Sequence, residues 1–298
     1  SAASDVYKRQ VQGDVKDVNL LKNLIGDCDQ LIAAAAMIGG IAYFHHFAYD
    51  LLAENERITA STFDAALWAF RHAHLKKINV VSSSMVFESA TVFPTSEGEQ
   101  FRCHPPLSTY GFQKLATEYF AKGAYEQHGL PYTIIRPFNC VGIGEQRALT
   151  DKNVMSGNIK LAMSHVVPDL VQKILKGQDP LHILGDGNQI RHYTYGGDIA
   201  RGIRLCVESE KAIKEDFNIS SGQPTTVLEL ARIIWDKIRP GKEFRYVSDP
   251  PFRYDVIKRI PSTAKAKTLL GFSADTNLSV VLDEVIPWVE AQIRIGNI

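Results

Sequence analysis

Two short runs constrain this chain most. Residues 77–82 (KINVVS) and 131–138 (PYTIIRPF) are apolar and β-branched, and read as buried strands. Between them, 108–128 reads as a long helix stopped by Gly129. Upstream, 29–36 (DQLIAAAA) reads as a further buried strand running into small residues, and 44–74 as largely helical. Strand, helix, strand, helix at this spacing argues for a parallel sheet with helices on both faces. In such sheets ligands sit beyond the carboxyl ends of the strands. The alanines at 33–36, the serines at 82–84 and Asn139 all fall at such ends.

On either side the rhythm differs. Residues 11–14 followed by VKDVNLLKNLIG read as a strand end, a turn and an amphipathic helix. Residues 141–164 are irregular and polar. Helices are expected over 168–176, 195–208, 226–238, 263–270 and 278–294, with a short strand at 217–220 and a turn in LGDGNQIR. Thr226 and Glu229 stand at capping-box spacing. This half reads as a smaller lobe over the sheet.

Composition excludes several partners. At 298 residues the chain suits one large domain or two closely joined ones. Lys plus Arg and Asp plus Glu both number 33, with no basic stripe, which argues against nucleic acid. No apolar run is long enough to span a bilayer, so no membrane partner is expected. Cys28, Cys103, Cys140 and Cys206 are scattered without a CxxC pair, as suits reduced thiols in a cytoplasmic protein. His72 and His74 point to different faces of a helix, and His45 and His46 are adjacent, so no metal site is expected. Residues 1–10 lack the charged start and apolar core of a signal peptide and are set aside as a candidate non-native leader.

The chemistry concentrates in residues 79–114. A strand ends in Ser82, Ser83 and Ser84, and the following helix carries Tyr110 and Lys114 four residues apart on one face. A phenol titrates near pH ~10 and is a poor base at neutrality. A nearby ammonium and a cationic nicotinamide favour phenolate and lower that value. Either pattern alone arises by chance or as helix caps; together they describe a proton-transfer site beside a redox cofactor.

With these motifs in place, the chain resembles the extended short-chain dehydrogenase/reductases, and within them the nucleotide-sugar epimerases and dehydratases of the UDP-glucose 4-epimerase kind. The matching residues are Gly13-Asp14, the Ala35-Ala36 turn, Asn55, VSSSMVF, YGFQK, Arg136-Pro137-Phe138-Asn139, LGDGNQIRHYTYGGDIARGI and DVIKRIPSTAKAKTLLGF. The resemblance implies an α/β, Rossmann-like doubly wound parallel sheet with a smaller C-terminal α/β substrate lobe. It implies NAD as cofactor and a nucleoside-diphosphate sugar as substrate. Residues 11–139 and 193–221 would form the NAD-binding domain, and 140–192 with 222–298 the substrate lobe. Residue by residue, it implies Asp14 at the adenine end of NAD and Ala35 and Ala36 along the pyrophosphate and ribose. Asn55, Ser82 and Phe138 belong to the same cofactor seat. Tyr110 is the implied base, Ser83 its hydroxyl partner, and Lys114 the residue that binds the nicotinamide ribose and lowers the Tyr110 pKa. Ser84 and Asn139 face the sugar-diphosphate, with Arg191 and Arg253 on the diphosphate. Arg259 resembles the arginine that decarboxylating relatives hold near a sugar carboxylate, or serves as a structural salt bridge. Helices 44–74 and 108–128 resemble those that pair into a four-helix interface, so a homodimer is expected.

Three departures shape the functional expectation. The family's opening strand and glycine-rich turn do not appear, and the family-like register begins near Val11 in what should be the third strand. The sequence is therefore expected to be N-terminally truncated, a piece of a longer protein. Dehydratases place Asp and Glu directly after the catalytic Ser/Thr, where this chain has Ser84 and Met85; Met cannot transfer protons. Decarboxylases place Glu at the Met85 position. The usual Tyr-Gly after Val86 is Phe87-Glu88, and an Asp that often follows Arg191 is His192. The expectation is NAD-dependent epimerisation at C4. Two alternatives stay open: NAD-dependent decarboxylation of a nucleotide-linked uronic acid, and a non-catalytic remnant.

Overall fold

Strands buried on both faces build the sheet that carries the site. The computed structural model describes residues 10–38, 47–145, 155–160, 165–251 and 255–298. In chain order, helix α1 is Val18–Ile25, strand β1 Gln30–Ala33, α2 Ala48–His72, β2 Lys77–Val81, α3 Thr109–His128 and β3 Tyr132–Pro137. Then come α4 Val166–Leu175, β4 Leu181–Leu184, α5 Gly196–Glu208 and β5 Glu215–Ile219. The chain continues through α6 Val227–Ile238, β6 Tyr246–Asp249, α7 Ala264–Leu270 and α8 Leu278–Arg294. The main sheet has the order β1-β2-β3-β5, all parallel, with Leu31 opposite Ile78, Val80 opposite Ile134 and Ile135 opposite Phe217. All four carboxyl ends therefore open on one edge.

Successive residues of β3 serve opposite layers, as strand geometry requires. Ile134 packs with Phe63, Ala66, Ala69, Val80 and Ala121 under α2 and α3. Its neighbour Ile135 packs with Ile199, Phe217, Ile219 and Phe272 under α5 and α7. Ala65, Ala66, Ala69 and Ala121 are fully buried, and such small residues let α2 and α3 approach the sheet and each other closely. A separate core, centred on Trp235 with Val171, Leu181, Leu230 and Leu282, holds α4, α6 and α8 together with β4.

Local signals set the helix ends. The Asp17 carboxylate accepts from the Asn19 and Leu20 amides at the start of α1. Ser108 caps α3 by accepting from Gly111 N at 3.0 Å, and Gly129 ends it at φ 75°. The Thr226–Glu229 capping box opens α6 as its spacing predicts. The parallel pair β4–β6 was not foreseen: its strands have four residues each, lie far apart in the chain, and β6 is mostly exposed, leaving no alternation to read.

Layers β2, β3, α3 and β5 are joined by buried charge. Arg136 on β3 donates to Glu118 on α3 twice, at 2.7 and 2.8 Å, and to Asp216 on β5 at 2.7 Å. Lys265 completes the set at 2.6 Å from Asp216. Burial works to raise the Asp216 carboxyl, but Arg136 and Lys265 outweigh it and bring it down to about 2. With an unfolded value near 3.8, its stabilisation is complete above that pH and is lost as pH falls through about 2. Asp216→Asn is expected to cost about 2 kcal/mol at pH ~6, with the deficit shrinking as pH falls and vanishing only below pH ~2. Denaturant unfolding across that range checks this; a pH-independent deficit contradicts the pairing.

Candidate active site

The site forms where β2 gives way to a single 3₁₀ turn. The strand ends at Val81, and Ser84–Phe87 form the turn, capped by Ser83, whose Oγ accepts from Met85 N at 3.2 Å. The start of α3 packs against this turn. A Cβ at Gly111 would lie 2.7 Å from Pro106 Cβ, 2.8 Å from the Met85 carbonyl oxygen and 2.9 Å from Glu88 Oε2, so only glycine admits this approach. Glu88 fixes the same junction by accepting from Ser108 N and Oγ at 3.1 and 2.7 Å.

This packing brings together the three residues at the centre of the sequence reading. Burial pushes the Tyr110 phenol up, against the lowering influence of the Ser83 hydroxyl and the charge of Arg259. Lys114 is buried, and its Nζ donates to the Val81 carbonyl at 3.0 Å. Burial lowers its ammonium to about 8, with Glu118 opposing.

The remaining predicted positions divide. Ala35 and Ala36 line a groove with Ala33, Ala34, Val81, Gln113 and Lys114. Asn55 is buried, with both amide groups used on one backbone site: Oδ1 accepts from Met37 N at 2.7 Å and Nδ2 donates to Met37 O at 2.8 Å. It thus holds the segment that follows β1. The Ser82 hydroxyl donates to Glu118 at 2.6 Å and belongs to the Arg136 network. Asp14 is exposed and accepts from Lys16 N at 2.9 Å. The Phe138 ring is buried against Phe87, centroids 6.2 Å apart. Ser84 is buried at the first position of the 3₁₀ turn.

On the far wall, Asn139 has φ 37°, and its carbonyl accepts from Thr194 N at 3.1 Å. Its Oδ1 accepts from Arg259 Nη1 at 3.2 Å. Arg191 is engaged with Asp255 at 3.2 Å and with the Ile190 carbonyl at 2.9 Å. Burial lowers the Arg259 guanidinium to about 9, helped by Arg191 and opposed by Asp255, Glu88 and Tyr110. Arg253 lies outside the described residues.

Sequence reading missed Glu118, although its position one turn beyond Lys114 places Tyr110, Lys114 and Glu118 on one stripe of α3. It noted His192 without a role. Its Nδ1 is 2.7 Å from the Ser221 carbonyl, while Nε2 is buried without a partner among the described residues. Nδ1 must donate to that carbonyl, so Nε2 is a bare acceptor.

Among the described residues no helix is long and apolar enough to cross a membrane, and all four cysteines are free. The family described as "NAD dependent epimerase/dehydratase family" matches residues 1–220. A putative UDP-glucose 4-epimerase of Methanocaldococcus jannaschii is 29% identical over 72% of this chain and 62% of its own length. UDP-glucuronic acid decarboxylase 6 of Arabidopsis thaliana is 27% identical over 74% of this chain and 58% of its own. The match thus spans less than two thirds of either relative. The crystal structure of a Thermotoga maritima UDP-glucose 4-epimerase with UDP-glucose superposes with a TM-score of 0.77 at 24% identity, covering 95% of this chain and 84% of that one.

A buried lysine with a depressed pKa costs stability where it is placed, which is a mark of function. Its folded value of about 8 lies below the unfolded 10.5. The penalty for the charged form is therefore full below about pH 8 and fades as pH rises to ~10.5. Lys114→Met is expected to be more stable than wild type at pH ~7, with the advantage gone by pH ~10.5. Thermal melts across that range check this; a variant less stable at neutrality contradicts it.

Proposed function

Because the chain belongs to the NAD dependent epimerase/dehydratase family, we propose that it serves as an epimerase of nucleoside-diphosphate sugars, acting at C4. The observation that carries the reading is the packing of the start of α3 on the 3₁₀ turn after β2, which sets Tyr110 within the influence of the Ser83 hydroxyl, with Lys114 one turn beyond. The side chains fit NAD. A run of alanines beside β1 lets a cofactor approach the backbone, Lys114 forms part of the same wall, and the Gln113 Oε1 acceptor is buried without a partner. Ala35, Ala36, Gln113 and Lys114 would hold it, and NAD when bound supplies hydride acceptance and return.

The protein's part is orientation and proton handling. Tyr110 takes the proton from the sugar O4, and Ser83 holds that oxygen as its bond order to C4 rises. Lys114 would bond the cofactor ribose. With NAD supplying hydride acceptance from C4 and its return, the 4-keto sugar would present its other face, and Tyr110 gives the proton back to O4. Dehydration needs a further acid and base on the sugar's carbons, and Ser84 and Met85 supply neither. Asn139, Arg191 and Arg259 grip the diphosphate side, with guanidinium forks suited to phosphate oxygens. Phe112, Tyr119 and Phe120 form an exposed aromatic stripe on α3, which supports a homodimer through α2 and α3.

A second reading, oxidative decarboxylation of a nucleotide-linked uronic acid, draws on Arg259, which stands against Met85 and Asn139 beside Tyr110. Release of carbon dioxide separates it from epimerisation.

Tyr110→Phe is expected to lower turnover of a UDP-hexose by roughly 10²–10⁴-fold while calorimetry finds UDP binding unchanged. Turnover retained in that variant contradicts the assignment of the base.

A further inference from the structure

Arg259 is carried on a segment, 257–262, that backbone hydrogen bonds hold at both ends. At one end Ile190 N donates to the Ile257 carbonyl at 2.8 Å, and Arg259 N donates to the Ile190 carbonyl at 3.1 Å. At the other, Thr95 N donates to the Ile260 carbonyl at 2.7 Å, and Ser262 N donates to the Thr95 carbonyl at 2.8 Å. Both ends are parallel bridges, Ile190 with Lys258 and Thr95 with Pro261. Pro261 biases Ile260 before it towards extended backbone, and its missing N–H leaves no donor to satisfy in the bridge. With the backbone pinned on either side, the direction of the Arg259 side chain is set. It reaches the 3₁₀ turn after β2: Nη1 donates to Asn139 Oδ1 at 3.2 Å, and Nη2 lies 2.8 Å from Met85 Sδ.

Thr95 lies in the loop between that turn and α3, so its bridge needs an anchor of its own. Asn218 supplies it from β5, the end strand of the main sheet. Asn218 is fully buried. Its backbone N–H donates to Glu97 Oε1 at 2.9 Å, which holds the same loop two residues beyond Thr95. Its Nδ2 donates to the Thr95 carbonyl at 3.2 Å and to the Ser262 carbonyl at 3.3 Å. Two carbonyl acceptors fix which end of the amide carries the nitrogen. Oδ1 is then left buried without a partner among the described residues. An apolar side chain of the same shape would avoid that cost, so the value of the amide lies in what it holds. One side chain clamps both strands of the bridge, and the bridged Ile260 is the residue next to Arg259.

We infer that Asn218 is a positioning residue for Arg259: from the main sheet, by way of the Thr95–Pro261 bridge, it sets the guanidinium against Asn139 and Met85. Asp216 lies two residues earlier on the same face of β5 and joins Arg136 at 2.7 Å. One strand thus references the α3 side of the site, through Arg136, and the Arg259 side, through Asn218, to the same sheet. The inference deepens the proposed function, and rests on it for the meaning of Arg259 as a guanidinium that grips the diphosphate side.

Met85 reports the guanidinium without any ligand. Protein labelled at the methionine ε-methyl carbon gives few NMR signals, since the chain has four methionines. The Met85 signal is identified by its loss in Met85→Leu. Arg259→Gln is expected to displace it, and Asn218→Leu, close in size but without donors, to displace it towards the same position. In the Arg259→Gln background Asn218→Leu is expected to add nothing, because it acts through the group already removed. A purely structural role would move the signal equally in both backgrounds. A Met85 signal unmoved by either substitution, or one that Asn218→Leu displaces as far without Arg259 as with it, overturns the inference. Should Asn218→Leu fail to fold, Pro261→Gly, which loosens the bridge outside the sheet, is read by the same criteria. With a UDP-hexose, KM is expected to rise about tenfold in Asn218→Leu, and to rise no further in the double variant than in Arg259→Gln alone. An unchanged KM, or a further rise in the double variant, also overturns it. Failure of the epimerase reading appears separately, as absence of turnover in a protein whose Met85 signal responds as expected.

Discussion

The buried pair between Arg136 and Glu118 is the contact on which the site depends. It joins the carboxyl end of β3 to α3 and, through Asp216 and Lys265, reaches β5 and α7. Replacing such a pair with well-packed apolar residues is often neutral, whereas removing one partner strands a charge at a cost of about 3–5 kcal/mol. The importance of the pair is therefore geometric. Glu118 accepts from Ser82, the residue before Ser83, and acts on Lys114 one turn back along α3. Strand end and helix are thereby held in the register that lets Ser83 meet Tyr110. Around this frame the close-packed 3₁₀ turn and Gly111 leave α3 little freedom to move.

Stability and function pull against each other here. Lys114 is buried where its charge is disfavoured, Tyr110 is buried where its phenolate is disfavoured, and among the described residues Arg259 keeps a guanidinium without a carboxylate contact. Proximity and low dielectric make these groups responsive to one another. The hydrophobic layers on both faces of the sheet offset those costs. The chemistry sits at the carboxyl edge of the parallel sheet, where backbone direction leaves open loops rather than packed core.

Much of this was legible because it is local. Tyr110 and Lys114 are four residues apart, the serines follow directly on an apolar run, and Gly129 and Thr226–Glu229 mark helix ends within a single turn. What stayed hidden was long-range. Arg136 was readable as part of a motif, but its partners lie 18 and 80 residues away. Only the fold reveals both amide groups of Asn55 on the Met37 backbone. The ion pair between Arg191 and Asp255 spans 64 residues of sequence and could not be read from spacing. Side-chain commitments of this kind depend on which elements meet, and single-sequence spacing does not encode that.

The central claim is that one hydride leaves C4 and returns to C4, with Tyr110 moving only the hydroxyl proton. The most direct measurement is turnover of UDP-glucose or UDP-glucuronate carrying deuterium at C4, in ordinary water, with the product examined by NMR. The account predicts an epimer that keeps its deuterium at C4 and gains no solvent hydrogen on any ring carbon. Loss of the label to water, or exchange at C3 or C5, would contradict it.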